Sequence, residues 1–419
     1  MRHLGSLYRI APVVALLAGC AAPSREGRFT PPHSIVGVDD RPIAVVHGDL
    51  VRWATTPAAR TPLLERLLYG EPAPGRPLLR NPQGLAVHAG RLFVCDQGLP
   101  DVVVIDLQTR QRRPFCAFDD RPPCPVAVAV DDDGRVYVAD PTRGAVLAYT
   151  PDGELDRVLH PDGQSTRQCG GSTSAVTPVT PVPNHEDAAP SASTPGVPAS
   201  SGDSDAGTGA FRPAALACQD GVLYVADAGE GRVFAVDFDA PAWRAFPPPA
   251  SSEWPLLSPT GIAIGASGEI LVADSLVGVI HRFAPDGAWL GVIGDRGRGP
   301  GQFVRVKQIA VTPGGRIAAV DAARQSVLIF DSHGTFAGEI GAVDAAGRRW
   351  TLPAGIAVLS SCDWSGPPPQ ADNILAAERE FLIVSDAMGG PSLTLIELVG
   401  RPSAAGSEMN SDVRSYGRK

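Results

Sequence analysis

One block recurs six times along the chain: an entry, usually with Pro, a short apolar run, a Gly-bearing turn, and a second apolar run that ends in Asp. The copies are Asn81–Val87 with Leu92–Asp96, Pro125–Val130 with Val136–Asp140, Pro213–Ala217 with Leu223–Asp227, Pro259–Ile264 with Ile270–Asp274, Gln308–Val311 with Ile317–Asp321, and Pro353–Val358 with Phe381–Asp386. Successive terminal aspartates lie 44, 87, 47, 47 and 65 residues apart, so a period of about 45 residues with two insertions accounts for every gap. A third apolar run follows each aspartate, as at Val102–Ile105, Val146–Tyr149 and Val279–Phe283, and a weaker fourth is visible at Trp289–Ile293.

Runs this short, divided by turn signals at regular intervals, read as strands. A repeat of roughly 40–50 residues with about four strands cannot bury its faces alone and must stack on its copies around an axis. The expected fold is therefore all-β, a six-bladed β-propeller, with seven blades as the alternative if residues 34–69 form a degenerate repeat. Gly and Pro, 46 and 41 residues, make up about 21% of the chain, against roughly 12% in average usage, as a turn-dense architecture requires.

The segment Gly294-Asp295-Arg296-Gly297-Arg298-Gly299-Pro300-Gly301-Gln302-Phe303, preceded by Asp286-Gly287, resembles the NHL repeat signature. Across residues 79–398 the chain is similar to the six-bladed NHL propellers of bacterial lipoproteins. Some propellers of related design are enzymes, among them gluconolactonase-like hydrolases, streptogramin lyase and peptidylamidoglycolate lyase, and the resemblance implies that any chemistry would sit over the central channel.

The last block supplies only three strands before the polar tail Arg401–Lys419, so its outer strand must come from elsewhere. Arg41–His47 is the candidate, and pairing the two chain ends removes exposed sheet edges. Leu63–Leu68 has apolar residues at helical spacing and reads as a short helix. Residues 161–210 contain no Leu, Ile, Met, Phe, Trp or Tyr, and their Ser, Thr, Pro and Gly cannot bury enough surface to order them. A second insertion, 360–379, separates the first and second strands of the last block. The propeller is expected over 42–400, with a disordered tail at 401–419.

Residues 1–19 have the layout of a secretory signal: Arg2 and Arg9, an apolar run from Ile10, then small residues. Leu17-Ala18-Gly19-Cys20 resembles the lipobox of bacterial lipoproteins, which implies cleavage before Cys20 and its lipidation, and Ala21 favours the outer membrane. Several acyl chains, at about 0.8 kcal/mol per buried methylene, hold a protein to a membrane surface without a spanning helix. Residues 20–41 read as a flexible tether. Six cysteines remain, an even number that suits an oxidising compartment. Cys116 and Cys124 flank a short Pro-bearing loop and are candidates for a local disulfide, whereas Cys95 and Cys218, inside strands, read as buried thiols.

Lys plus Arg total 36 against 45 Asp plus Glu, a net charge of −9, and only Lys307 and Lys419 are lysines. This balance lacks the basic footprint of a nucleic-acid binder. No Cys/His cluster has zinc spacing, and no Gly-x-Ser-x-Gly elbow is present. The inner-strand entries carry Asn81, Gln83, Arg212, Thr260, Lys307 and Gln308, with Pro125 and Ala354 in the other two copies. None is a histidine or glutamate. His88 and His333 fall in turns, His281 in a strand, and His160 and His185 in or beside the first insertion. The six aspartates are expected to accept backbone N–H bonds in the turns that follow them. Gln83, Arg212, Lys307 and Gln308 are candidate ligands for an anionic or carbonyl-rich molecule at the channel mouth. No metal or cofactor is expected. The expected function is non-enzymatic binding or scaffolding by a lipid-anchored envelope protein, with envelope proteins, polysaccharide or peptide as partners. The alternative is an envelope hydrolase or lyase of the gluconolactonase or streptogramin lyase type.

Overall fold

A computed structural model describes residues 33–36, 42–49, 79–162, 211–238, 242–248, 253–341, 350–359, 380–388 and 392–398, apart from single loop positions at 108 and 110. Within these residues the repeats form six antiparallel sheets arranged as the blades of a propeller. Blade 1 is Pro82–His88, Arg91–Asp96, Asp101–Asp106 and Arg112–Pro114, from the channel outwards. Blade 2 runs from Ala127–Val130 to Leu155–Leu159, blade 3 from Pro213–Gln219 to Trp243–Ala245, blade 4 from Pro259–Ile264 to Trp289–Ile293, and blade 5 from Val306–Val311 to Phe336–Gly341. Each inner strand packs against the next, and that of blade 6, Pro353–Leu359, packs against that of blade 1, so the ring is closed.

Closure uses both ends of the repeat region. In blade 6, Glu380–Asp386 and Ser392–Leu398 are followed by Pro42–Asp49, which pairs antiparallel with Ser392–Leu398 through Ala44 opposite Leu398 and Val46 opposite Ile396. The strand expected from residues 41–47 is thus present. His33–Val36, expected as part of a tether, instead adds a fifth strand outside it, with His33 opposite Val46. Both segments extend blade 6, so neither starts a seventh blade, and residues 50–69 of that alternative lie outside the described residues. The helix expected at residues 63–68 lies outside the described residues, as do the signal and lipobox residues, the insertions at 163–210 and 360–379, and the tail. Among the described residues, no helix is long and apolar enough to cross a membrane.

Alternation explains the core. Successive side chains of a strand point to opposite faces of its blade, so each blade feeds two interfaces. Val94 packs between blades 6 and 1 with Leu85 and Ile383, while Phe93 and Cys95 pack between blades 1 and 2 with Val138 and Tyr149. Six such apolar clusters, one per blade interface, account for the buried interior.

The repeated aspartates work as clamps. Asp274, fully buried, accepts the N–H groups of Leu257 and Ser258 on Oδ2 and those of Leu276 and Val277 on Oδ1. One carboxylate thereby fixes both the following turn and the chain entering the same blade. Asp96, Asp227, Asp321 and Asp386 do likewise, through entry residues Arg80 and Asn81, Arg212, Val304 and Arg305, and Thr351 and Leu352. Blade 2 differs. Asp140 binds only its own turn, at Thr142 and Arg143, and its buried Oδ2 has no hydrogen-bond partner among the described residues. Its entry is Pro122-Pro123-Cys124-Pro125, in which Pro123 holds the place of Arg80 and has no N–H to give.

Inner strands approach closely where the sequence places glycine. A Cβ on Gly355 would lie 2.0 Å from the carbonyl oxygen of Gln83 in blade 1, and 3.0 Å from Ser385 Oγ. Ser385 itself accepts the Gly355 N–H and donates to that Gln83 carbonyl, at 2.8 and 2.9 Å. Gly355→Ala is therefore expected to lower stability by about 1–3 kcal/mol through overpacking, read as a lower urea midpoint. An unchanged midpoint would contradict this account of closure.

The NHL-like segment is the connection from blade 4 to blade 5. Asp295–Arg296 pairs parallel with Gln302–Phe303, the Gly299 N–H donates to Gln302 Oε1 at 2.9 Å, and Phe303 is fully buried between the two blades. Gly294, at φ +77°, leaves no room for a Cβ against the Phe303 ring.

The Cys116–Cys124 disulfide is not formed: both are free thiols. Cys116 is buried among Phe115, Val102 and Tyr149 between blades 1 and 2, and burial pushes its pKa up to about 12. Cys124 sits in the entry to blade 2, where its sulfur accepts from Gln97 Nε2 at 3.5 Å. Cys95 and Cys218 are also free thiols.

Candidate functional site: a cationic mouth on the central channel

The residue after the entry position points into the channel in every blade. These residues are Gln83, Val126, Ala214, Thr260, Lys307 and Ala354, and all six line a central cavity of about 690 Å³. Position in the repeat thus determines exposure to the channel, while the residue type sets the chemistry. Gln83, Arg212, Lys307 and Gln308, the four candidates from the sequence, all line this one cavity. In blade 2 the lining residue is Val126 rather than Pro125, because the channel-facing position follows the proline. Arg80, Gln97 and Met388 also line it and were not singled out from the sequence. Arg80 is the second residue before its strand, and Gln97 and Met388 follow clamp aspartates, positions whose direction only the clamp geometry reveals.

Polar side chains link blade 5 to blade 1 across this space. Lys307 Nζ donates to Gln83 Oε1 at 3.2 Å, Gln83 Nε2 donates to Asn81 Oδ1 at 2.7 Å, and Asn81 Nδ2 donates to Gln97 Oε1 at 3.1 Å. At the corresponding position the intervening blade carries Ala354, whose small side chain leaves the span open. Backbone packing steadies the lysine: Thr260 Oγ1 donates to the Val306 carbonyl at 3.3 Å, and Val306 is fully buried. Burial, and secondarily the nearby Arg305, hold the Lys307 amine below the usual lysine range.

The charge of the lining is one-sided. Among the described residues, three cations, Arg80, Arg212 and Lys307, and four side-chain amides, Asn81, Gln83, Gln97 and Gln308, face the cavity, and no carboxylate does. The clamp aspartates are fully or almost fully buried and turn their oxygens to backbone N–H groups instead. Among the described residues, no group of three or more His, Cys, Asp or Glu side chains is placed to hold a metal ion. Of the described histidines, none lines the cavity. His281 is fully buried between blades 3 and 4 and stacks on Phe283.

The fold and the cavity define a six-bladed β-propeller with a cation- and amide-lined mouth on its axis. A family model described as a 6-bladed beta-propeller matches residues 255–345, which span blades 4 and 5. No curated protein matches the chain. Among solved structures, a streptogramin B lyase is similar at 12% identity over 76% of this chain and 94% of its own, with a TM-score of 0.46. A gluconolactonase from Xanthomonas campestris is similar at 16% identity over 77% and 87%, TM-score 0.45. A protein of unknown function from Bacteroides thetaiotaomicron is similar at 14% identity over 76% and 70%, TM-score 0.49.

Proposed function

We propose that the chain is a lipid-anchored binding module of the bacterial cell envelope: an NHL-type propeller that takes an anionic or carbonyl-rich group of its ligand into the channel mouth. The observation that carries this reading is the cavity lined by Arg80, Arg212 and Lys307 with four amides and no carboxylate, in a chain whose net charge is −9. Concentrating cations in a concave site, against the overall charge, raises the local concentration of anions and aligns with charge-assisted hydrogen bonding. An acidic peptide side chain, a chain terminus or an acidic sugar on an envelope partner has the required chemistry. The lipobox-like ending at Cys20 supports the address.

Two measurements test the two halves of this reading. Citrate, as a polyanionic probe, is expected to bind the wild type in calorimetric titration at low ionic strength, and Arg212→Ala with Lys307→Ala is expected to weaken it about tenfold or more, as the loss of charge-assisted contacts predicts. Equal affinity in the double variant would remove the site. Cys20→Ala is expected to release the chain from the membrane pellet, and retention in the pellet would remove the anchor.

A further inference from the structure

We propose that Lys307 is a carbonyl-trapping amine, forming a reversible imine with small α-oxo acids held at the channel mouth. The inference rests on the anion-binding reading above and specifies the ligand class. Imine formation needs a lysine that is reachable, fixed, and unprotonated for part of the time. Lys307 lines the cavity, and its position is fixed by the strand entry and by the hydrogen bond to Gln83 Oε1 at 3.2 Å. That acceptor is a neutral amide. A carboxylate in its place would hold the amine as ammonium, and none faces the cavity among the described residues. Burial, with Arg305 nearby, shifts the amine further toward its free base, the same physical route by which desolvated lysines become nucleophiles.

The surroundings supply the rest of the recognition. Arg212, exposed at the same mouth, offers a planar fork that pairs with a carboxylate, and Arg80 adds a second cation. An α-oxo acid presents a carboxylate and a carbonyl together, which suits a cavity lined by both arginines and an amine. In the reaction the Nζ lone pair forms a bond to the carbonyl carbon, and the carbonyl oxygen takes up a proton to give a carbinolamine. The hydroxyl takes up a second proton, the C–O bond breaks and water leaves, and the nitrogen, which gives up two protons in all, is left as the imine. Amine and carbonyl become imine and water with no oxidant or reductant, and hydrolysis reverses the step. Arginine cannot do this at neutral pH, and it makes up all of the basic residues except Lys307 and Lys419.

That scarcity provides an internal reference. The full chain is incubated with pyruvate and cyanoborohydride at pH 7, which reduces any imine to a stable secondary amine, and is then mapped by peptide mass spectrometry. Lys307 is expected to be labelled several-fold more than Lys419, since a depressed pKa raises the fraction of free amine. Excess citrate is expected to suppress the Lys307 adduct. Lys307→Arg is expected to lose the adduct. Labelling of Lys307 equal to or below that of Lys419 overturns the imine. In that case citrate binding that depends on Arg212 leaves the anion site standing, and its absence removes both.

Discussion

Glu380→Ala is expected to destabilise the propeller by about 3 kcal/mol or more, the range for breaking a buried ion pair from one side. Arg316, in the turn between the first two strands of blade 5, donates from Nε and Nη2 to Glu380 Oε2 at 2.9 and 2.6 Å. The other carboxylate oxygen accepts the Gly314 N–H at 2.5 Å. Arg316 and Glu380 are only 8% and 6% exposed, so truncation leaves a buried guanidinium without this carboxylate and a backbone N–H without its acceptor. The pair joins blade 5 to the second strand of blade 6, the blade in which the two ends of the repeat region meet. Replacing both residues with Met is expected to cost far less, within about 1 kcal/mol, because no charge is then left to solvate. Urea denaturation of the two single variants and the double variant measures the difference. A Glu380→Ala midpoint equal to wild type would show that the clip adds nothing to closure.

Acidification from pH 7 is expected to weaken the fold through His281. Its ring is fully buried between blades 3 and 4, and neither nitrogen has a hydrogen-bond partner among the described residues. Burial lowers its pKa from the usual 6.5 to about 4, partly offset by the charge of Asp274. The fold therefore holds the neutral ring, while the unfolded chain binds a proton below pH 6.5. Between pH 6.5 and 4 the unfolded state carries the extra proton, so stability falls as pH falls. The loss is about 2 kcal/mol at pH 5 and about 3 kcal/mol near pH 4. His281→Leu keeps an apolar side chain against Phe283 and removes the buried polar nitrogens. It is expected to be more stable than wild type at pH 7 by about 1–2 kcal/mol. Its advantage should widen on acidification, which separates this histidine from carboxylates that titrate in both proteins. Parallel pH profiles of the two proteins would contradict the assignment.

The blade count was legible because a repeat that ends each second strand in Asp imposes its own ruler, and insertions change spacing without changing the repeat. The closing strand at 42–49 was legible for a related reason: a three-strand last copy leaves an edge, and one apolar run near the start of the chain was free to cover it. His33–Val36 was not, since four residues with a polar start carry too little pattern to separate a strand from a linker. The disulfide expected from the spacing of Cys116 and Cys124 failed because proximity in sequence says nothing about side-chain direction. One sulfur turns into a blade interface and the other toward Gln97 at the channel.

The clamp aspartates show a subtler divide. Recurrence indicated a structural role in the following turn, and that is where one set of bonds goes. The second set, to the residues entering the inner strand of the same blade, joins positions 15 to 17 apart in blade 1 and blade 4, too far for a local turn rule to anticipate. The exception at Asp140 follows from Pro123, visible in the sequence but meaningful only once the bond it cannot make is known.

For the channel mouth, the sequence alone pointed to the entry region of each inner strand, without separating Pro125 from Val126, and showed that Lys307 is an isolated lysine. Periodicity carries that information because each strand presents alternate residues to fixed surroundings. Only the tertiary structure decided that Lys307 reaches Gln83, 224 positions away, that Ala354 leaves the span between them open, and that no carboxylate among the described residues shares the cavity. It also decided that His281 and the Arg316–Glu380 pair lie in blade interfaces. Those facts depend on which blades become neighbours when the ring closes, and closure brings together residues whose order along the chain gives them no local relation.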